Sequence, residues 1–437
     1  MKKKSMAIAA ALCALAVTVA GCGGGNGGNS GASATASPGG EAPKKDVTIT
    51  VGAAQNWVKD IDRTLADKFT AKTGIKVDFQ VNPDDQYQNI IKTKLATKEA
   101  PDIFYLLSGI GLTAYQPEKN FLDLSGEPWA ARLTDWAREG SSIGGKLYAL
   151  NMWSVDGWQI LYNTEIFKKY NLTPPKNFAE FTALCQTLLN NGIQPIYENA
   201  KDIWHMHLWL NDLSVAMEKA NPGIFEKLNR NEAKLADQQV LVQGLEDYKT
   251  LNDRGFFGKN ALSVEWLPGY EAMATGKAAM ILAYTTYQNE VADQFPDSKA
   301  DQWEMFPVPI ADNDAFAHSA GGIVRIVNAE TKHADEVKMY FNFLAEEQNV
   351  RDYYAERKDL GETSFKGIEV SPLPKALTSV KANSPGGAGL TVQDSMTYWD
   401  ENVIGKAVQD LLLGAATPKE VLQKIDDHRA KTFAAVQ

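Results

Sequence analysis

Between Val47 and Leu107 the chain alternates strand and helix patterns, and this alternation limits the fold more than any other feature. Val47-Thr48-Ile49-Thr50-Val51 alternates polar and apolar residues and stops at Gly52. Ile61, Leu65 and Phe69 then recur every four residues, one face of a helix ending at Thr73-Gly74. Residues 75–81 alternate again, Tyr87, Ile90, Ile91 and Leu95 mark a second amphipathic helix, and 102–107 reads as a buried strand. Strand, helix, strand, helix, strand implies a parallel sheet with helices on its faces. In such sheets ligands sit beyond the carboxyl ends of the strands, which makes the loops after Val51 and Leu107 candidate site loops.

A second group of elements begins at Leu147. Residues 158–162 read as a strand and 164–170 as a short helix, with Pro174-Pro175 as a stop before a helix over 178–189. Strands are also expected at 193–197, 278–282, 304–308 and 323–327. Helices are expected at 205–217 and 235–251 and around Val337, Tyr340, Phe341 and Leu344, and two long helical patterns close the chain. Irregular Gly- and Pro-rich stretches at 370–374 and 383–389 are candidate crossings between lobes. Residues 46–437 exceed what one hydrophobic core usually holds, so two domains are expected.

The N-terminal segment states a destination. Lys2, Lys3 and Lys4 precede an apolar run from Ala7 to Ala20 that is too short to span a bilayer and closes on Val19-Ala20-Gly21-Cys22. This is the pattern of a secretory signal peptide over 1–21, and the cysteine after small residues resembles a bacterial lipobox. Cys22 is then the lipidation site and the mature N-terminus. Residues 23–45, nearly all Gly, Asn, Ser, Ala, Thr and Pro, read as a flexible tether spanning roughly 25 Å. Tethers of this kind resemble those of Gram-positive surface lipoproteins, which places the body outside the cytoplasm and anchored to the cell membrane.

Composition excludes some partners. Loss of residues 1–21 takes Lys+Arg from 44 to 41 against 54 Asp+Glu, a formal charge of −13. An acidic body without a basic cluster argues against nucleic acid and against docking on anionic lipid. Cys185 stands alone beyond Cys22 and lies on an apolar helical pattern, so it reads as a buried small hydrophobe and no disulfide framework is expected. Ten tryptophans are too many for core filling alone, and some are expected to line a cleft.

Several motifs are familiar in combination. Gly145-Lys146-Leu147-Tyr148-Ala149-Leu150, Asp156-Gly157-Trp158, Leu161-Tyr162-Asn163-Thr164-Glu165-Ile166-Phe167 and Pro174-Pro175 together resemble the central signature of the extracellular solute-binding proteins of ABC importers, in the carbohydrate-binding group that includes maltose-binding protein. Thr73-Gly74-Ile75-Lys76-Val77, Pro101-Asp102-Ile103, Gly276-Lys277-Ala278-Ala279-Met280, Gly321-Gly322 and Thr417-Pro418 fall in the family's order. The resemblance implies an α/β, two-lobe periplasmic-binding-protein-like fold with a hinge and an interlobe ligand cleft. One lobe would take 46–152 and 316–372, the other 153–315 and 373–437. It further implies a monomer that delivers a sugar or oligosaccharide to ABC permease transmembrane subunits, with no cofactor and no metal.

Sugar rings present apolar C–H faces and an equator of hydroxyls, so a sugar site needs aromatic platforms and hydrogen-bonding side chains. Trp153 and Trp158 flank Asp156 at the first inferred crossing, where the family places a ligand carboxylate; a capping or hinge role is the structural alternative. Trp204 matches a stacking position, with Glu198 and Asn199 as polar candidates nearby. Trp399, with Asp400, sits where maltose-binding protein has a stacking tryptophan. Trp57, Tyr87 and Ser108 are positional candidates from the first lobe, Trp266 and Tyr284 from the second. Gly321 and Gly322 would let the backbone approach the ligand or turn at the hinge. Tyr284-Thr285-Thr286-Tyr287 stands where the family often has Gly-x-Trp, which puts one stacking contact in doubt.

The inventory for an enzyme is thin. Gly276-Lys277 lacks the upstream glycine and the following hydroxyl of a P-loop, no Gly-x-Ser-x-Gly elbow is present, and the histidines of His205-Met206-His207 point to different sides of a helix. The competing expectations are the same fold binding a non-sugar solute, and a secreted glycan-degrading lipoprotein with paired carboxylates.

Overall fold

A computed structural model describes residues 47–154, 156–369 and 373–436. The leader, Cys22 and the tether lie outside them. In chain order the strands of the two larger sheets are β1 (Thr48–Ala54), β2 (Lys76–Asn82), β3 (Ile103–Leu107), β4 (Ala149–Asn151), β5 (Trp158–Tyr162), β6 (Gln194–Tyr197), β7 (Ala278–Tyr284), β8 (Glu304–Phe306) and β9 (Ile323–Val327). The first sheet has the order β2-β1-β3-β9-β4 and the second β8-β5-β7-β6.

The opening alternation builds the first sheet as expected, with β1 parallel to both β2 and β3. β1 does not stop at Gly52. It continues to Ala54 because β2 supplies backbone partners through Asn82, and the ladder overrides the glycine. The helix α1 (Asp60–Thr73) buries Ile61, Leu65 and Phe69 and closes at Gly74, whose N–H donates to the Thr70 carbonyl at 2.8 Å. α2 (Asp84–Ala96) buries Tyr87, Ile91 and Leu95.

β9 enters this sheet from the far side of the sequence and pairs antiparallel with β3 and β4. In the second sheet β5 is antiparallel to β7 and β8, and β6 is parallel to β7. Two lobes result, each an α/β layer structure with its own apolar interior. One interior gathers Ile49, Leu65, Phe69, Leu150, Val327 and Phe341. Another gathers Ile160, Phe181, Trp209, Leu245, Leu282 and Val408.

Three expectations are corrected. The helix expected over 205–217 is three short helices, Ile203–Met206, Leu208–Asn211 and Ser214–Ala220. Residues 205–214 are buried without a break, so this segment has no solvent face and follows the surrounding core instead of one helix axis. Residues 235–251 divide into a short 3-10 turn, Leu235–Asp237, and a helix, Gln239–Asp253. The stretch 383–389 is not a crossing, because Ala376, Leu377 and Val380 before it and Val392 and Met396 after it all pack in interiors built on the second sheet. Its Gly386 N–H donates to the Asp314 carbonyl, and the strand Ala388–Leu390 pairs in parallel with Phe316–His318. Of 370–374, residues 370–372 lie outside the described residues.

β9 carries a buried charge. Arg325, 3 % exposed, donates to Asp62 Oδ1 at 2.7 Å, Tyr105 Oη at 3.0 Å and Tyr353 Oη at 3.1 Å. This links β9 to α1, β3 and the helix Glu347–Glu356. Removing one member leaves the other charge buried and unpaired, which costs about 3–5 kcal/mol, whereas an apolar pair of similar volume is often neutral. Arg325→Ala is therefore expected to lower the free energy of unfolding by that amount in chemical denaturation. The double variant Asp62→Leu/Arg325→Leu is expected to lie closer to the wild type than the single one.

Candidate functional site

The start of β5 and the end of β7 are register partners, Trp158 opposite Tyr284, and both side chains are half-buried. Around them the structure gathers aromatic rings from two further segments. Trp158 lies 5.3 Å from Tyr284, 5.8 Å from Trp204 and 5.5 Å from Trp266, centroid to centroid, and Trp204 lies 5.6 Å from Trp266. All four of these rings were candidates from the sequence. His205, Tyr270 and Tyr287 pack behind them: His205 is 5.5 Å from Trp266 and Tyr287 is 5.0 Å from it. The loop carrying Trp266 is fixed by its backbone N–H, which donates to Asp202 Oδ2 at 2.6 Å.

Asp156 sits at the edge of this wall, on the crossing between β4 and β5. Its Oδ1 accepts from the Gly157 N–H at 2.8 Å, the Thr285 N–H at 2.9 Å and the Thr285 hydroxyl at 2.6 Å. Its backbone is tied to the return crossing, since the Ser319 N–H donates to the Asp156 carbonyl at 2.6 Å. Burial lifts the carboxyl to about 6, against the pull of these hydrogen bonds, and the charge of Asp359 adds to the rise. Oδ2 takes no hydrogen bond from the described residues. A carboxylate with one oxygen saturated by protein donors keeps acceptor capacity on the other.

The segment Tyr284-Thr285-Thr286-Tyr287, a departure from the family pattern, is used in full. Tyr284 is part of the wall, Thr285 clamps Asp156, the Thr286 hydroxyl donates to the Asp359 carbonyl at 2.7 Å, and Tyr287 backs Trp266. Tyr284 and Tyr270 both donate to Glu290, whose carboxyl is pushed up by burial and by the Asp359 charge. Asp359 lies between Tyr353 and Leu360, which pack in the interior of the first sheet. Arg357 grips it through Nε at 2.7 Å and Nη2 at 2.6 Å and lies 4.3 Å over the Trp153 ring.

The remaining candidates are placed as follows. Trp153 packs on Gly322, where a Cβ would lie 1.9 Å from its Cδ1; φ there is +65°. The Gly321 carbonyl accepts from Asn151 Nδ2 at 3.1 Å, and a Cβ at Gly321 would meet that same amide. The glycine pair thus serves close packing of the two crossings. Tyr87 is buried, with its hydroxyl held by the Gly52 and Tyr105 backbones. Trp57 stands edge-on to it at 5.4 Å. Ser108 is buried, and its N–H donates to the Gly322 carbonyl at 2.8 Å.

Glu198 and Asn199 are fully buried. Glu198 accepts from Trp209 Nε1 and Tyr248 Oη beneath the wall, and Asn199 Nδ2 reaches Asp202 at 3.3 Å. Trp399 contacts His207, donating to its Nδ1 at 3.2 Å, and none of the wall rings. Asp400 caps the helix Glu401–Leu412 through the Asn402 and Val403 N–H groups. Two further acids were missed in the sequence: burial lifts Asp394, beside Gly109, to about 6 and Glu401, beside Gln393, to about 7.

A surface cavity of about 540 Å³ is lined by Tyr197, Ser263, Glu265, Glu271 and Lys277. It includes neither Asp156 nor a wall tryptophan, and its charged groups pair with each other or with Lys201. Among the described residues no group of three His, Cys, Asp or Glu could hold a metal ion, and no helix is long and apolar enough to cross a membrane.

The chain matches the family model of the bacterial extracellular solute-binding proteins over residues 52–351. It belongs to that family. Solved structures of similar fold include a chitin oligosaccharide binding protein, 20% identical with a TM-score of 0.75, covering 89% of this chain and 100% of that one. A sugar transporter protein from Bacillus licheniformis in complex with stachyose is 19% identical with a TM-score of 0.72, covering 88% and 100%. The RafE protein in complex with raffinose is 17% identical with a TM-score of 0.71, covering 88% and 99%. No match to this solute-binding protein was found among curated proteins.

Because the folded value of Asp156 lies above its ordinary 3.8, ionising it in the fold is unfavourable. Its contribution to stability falls as the pH rises from about 3.8 to about 6. Thr285→Val removes the hydroxyl donor and keeps the backbone one, so the carboxyl is expected to titrate higher still. Carbon-13 titration of the Asp156 carboxyl checks the direction, and an unchanged midpoint would mean that the hydroxyl does not hold the ionised form.

Proposed function

We propose that this member of the family captures a sugar or oligosaccharide between its two lobes and hands it to an ABC permease. The observation that carries the reading is the wall of Trp158, Trp204, Trp266 and Tyr284, brought together from four separate segments beside the open oxygen of Asp156. Flat apolar rings suit the C–H faces of a sugar, and a carboxylate fixed at their edge suits its hydroxyls. Proteins of similar fold that bind chitin oligosaccharide or are seen in complex with stachyose or raffinose support this ligand class. In this reading the protein binds its ligand without altering it. The lobes built on 46–152 with 316–372, and on 153–315 with 373–437, close over the ligand, which shifts the equilibrium by its greater affinity for the closed form. Cys22, diacylated, anchors the body to the membrane through the tether.

A thermal-shift screen of sugars against non-sugar solutes tests the ligand class, since a ligand at a hundred times its dissociation constant stabilises by about 2.7 kcal/mol. Stabilisation by amines or peptides alone would replace the sugar with another solute, and release of reducing ends on long incubation would show a hydrolase. With a stabilising sugar in hand, Asp156→Asn is expected to weaken binding roughly ten- to hundredfold in calorimetric titration, the scale of charge-assisted hydrogen bonds worth about 1.5–3 kcal/mol. Only the ionised carboxyl accepts at both oxygens, so wild-type affinity should tighten as the pH rises through about 6. That rise should disappear in Asp156→Asn, which separates Asp156 from Asp394 and Glu401. The anchor is tested separately: fatty-acid labelling is expected in the wild type and absent in Cys22→Ser.

A further inference from the structure

Behind the aromatic wall lies a histidine whose hydrogen bonds define its protons. His205 is fully buried, with its ring centroid 5.7 Å from Trp158, 5.5 Å from Trp204 and 5.5 Å from Trp266. Its Nε2 lies 3.0 Å from the Leu282 carbonyl oxygen, which can only accept, so Nε2 carries a proton. Its Nδ1 lies 3.3 Å from Glu198 Oε1. Glu198 is also fully buried. It receives the Trp209 indole N–H on Oε2 at 2.9 Å and the Tyr248 hydroxyl on Oε1 at 3.1 Å. A carboxyl group surrounded by donors is stabilised as the anion, and an anion beside Nδ1 calls for a second proton on the ring.

We propose that His205 is an imidazolium locked to the Glu198 carboxylate, and that this buried ion pair is the positioning device that holds Trp158, Trp204 and Trp266 in place. The His205 ring packs against three tryptophans from three segments, edge-on or tilted, so fixing that one ring fixes the position of all three. The titratable neighbours fit that role. His207 is held down to about 3, chiefly by burial, so the next histidine is neutral; its Nε2 lies 4.0 Å from Glu401. Asp202 is occupied by the Trp266 N–H and the Asn199 amide, and Tyr248 donates to Glu198. The significance for ligand binding rests on the reading of the wall as the ligand surface, but the pair itself does not.

Nitrogen-15 NMR of histidine-labelled, ligand-free protein at neutral pH is the test. Both ring nitrogens of His205 are expected to report as protonated. A neutral ring, with the shared proton on Glu198, would overturn the proposal. A second measurement addresses positioning. In Glu198→Gln the indole N–H signals of Trp158, Trp204 and Trp266 are expected to shift, while those of Trp129 and Trp303, which lie outside the wall, stay in place. Unmoved wall signals, or equal shifts at all five tryptophans, would overturn the positioning role. If Glu198→Gln does not fold, His205→Phe, which keeps a ring without its charge, is read in the same way. Neither measurement uses a ligand, so a failure of the sugar reading is distinguishable from a failure here.

Discussion

The structure depends on one return of the chain. β9 returns from beyond the second sheet and lies between β3 and β4 in the first, where Arg325 is fixed by Asp62, Tyr105 and Tyr353. A buried guanidinium is tolerated only with its partners in place, so the register of β9 is specified by charge as well as by pairing. That register in turn places Gly321 and Gly322 against Asn151 and Trp153, and brings Ser319 to the backbone of Asp156. The geometry of the candidate site is therefore set at the crossings and not by the loops alone.

The second lobe contributes the chemistry. Its central strands β5 and β7 are antiparallel, so Trp158 at the start of one meets Tyr284 at the end of the other by register, and the residue after Tyr284 supplies two of the three donors that clamp Asp156. Support comes from below, through Glu198, Trp209 and Tyr248. An aromatic surface that is half-exposed to receive a ligand needs rigid backing, because rings free to turn would have to be ordered at a cost each time one bound.

Much of this was legible in the sequence and some was not, for physical reasons. The parallel start of the first sheet followed from periodicity, since β1, α1, β2, α2 and β3 are each amphipathic or apolar in a way local pattern reports. The span of β1 beyond Gly52 was not, because it is decided by β2. The helix expected over 205–217 failed for a related reason: a segment buried on all sides loses the polar face that pattern reading needs. Among site residues, Trp158, Trp204, Trp266 and Tyr284 were named from position and resemblance, and the structure brings them together. Glu198 was named as a polar candidate beside Trp204, and its partners Trp209 and Tyr248 were not legible, since they stand 11 and 50 residues away and no local signal joins them. Asp394 and Glu401 carried no signal at all, since their environment arises only when distant segments meet.

The interleaving of the lobes also has a temporal side. During synthesis β1, β2 and β3 are complete long before β9 exists, and the outer edge of β3 is the edge that β9 will cover. Until residue 327 is available, that edge presents unpaired backbone groups, the template that promotes pairing with other chains. The first lobe thus has a long contact to wait for, and its final closure is bound to slow, non-local assembly. A chain built this way gains from anything that delays folding of its early half until the later half has arrived.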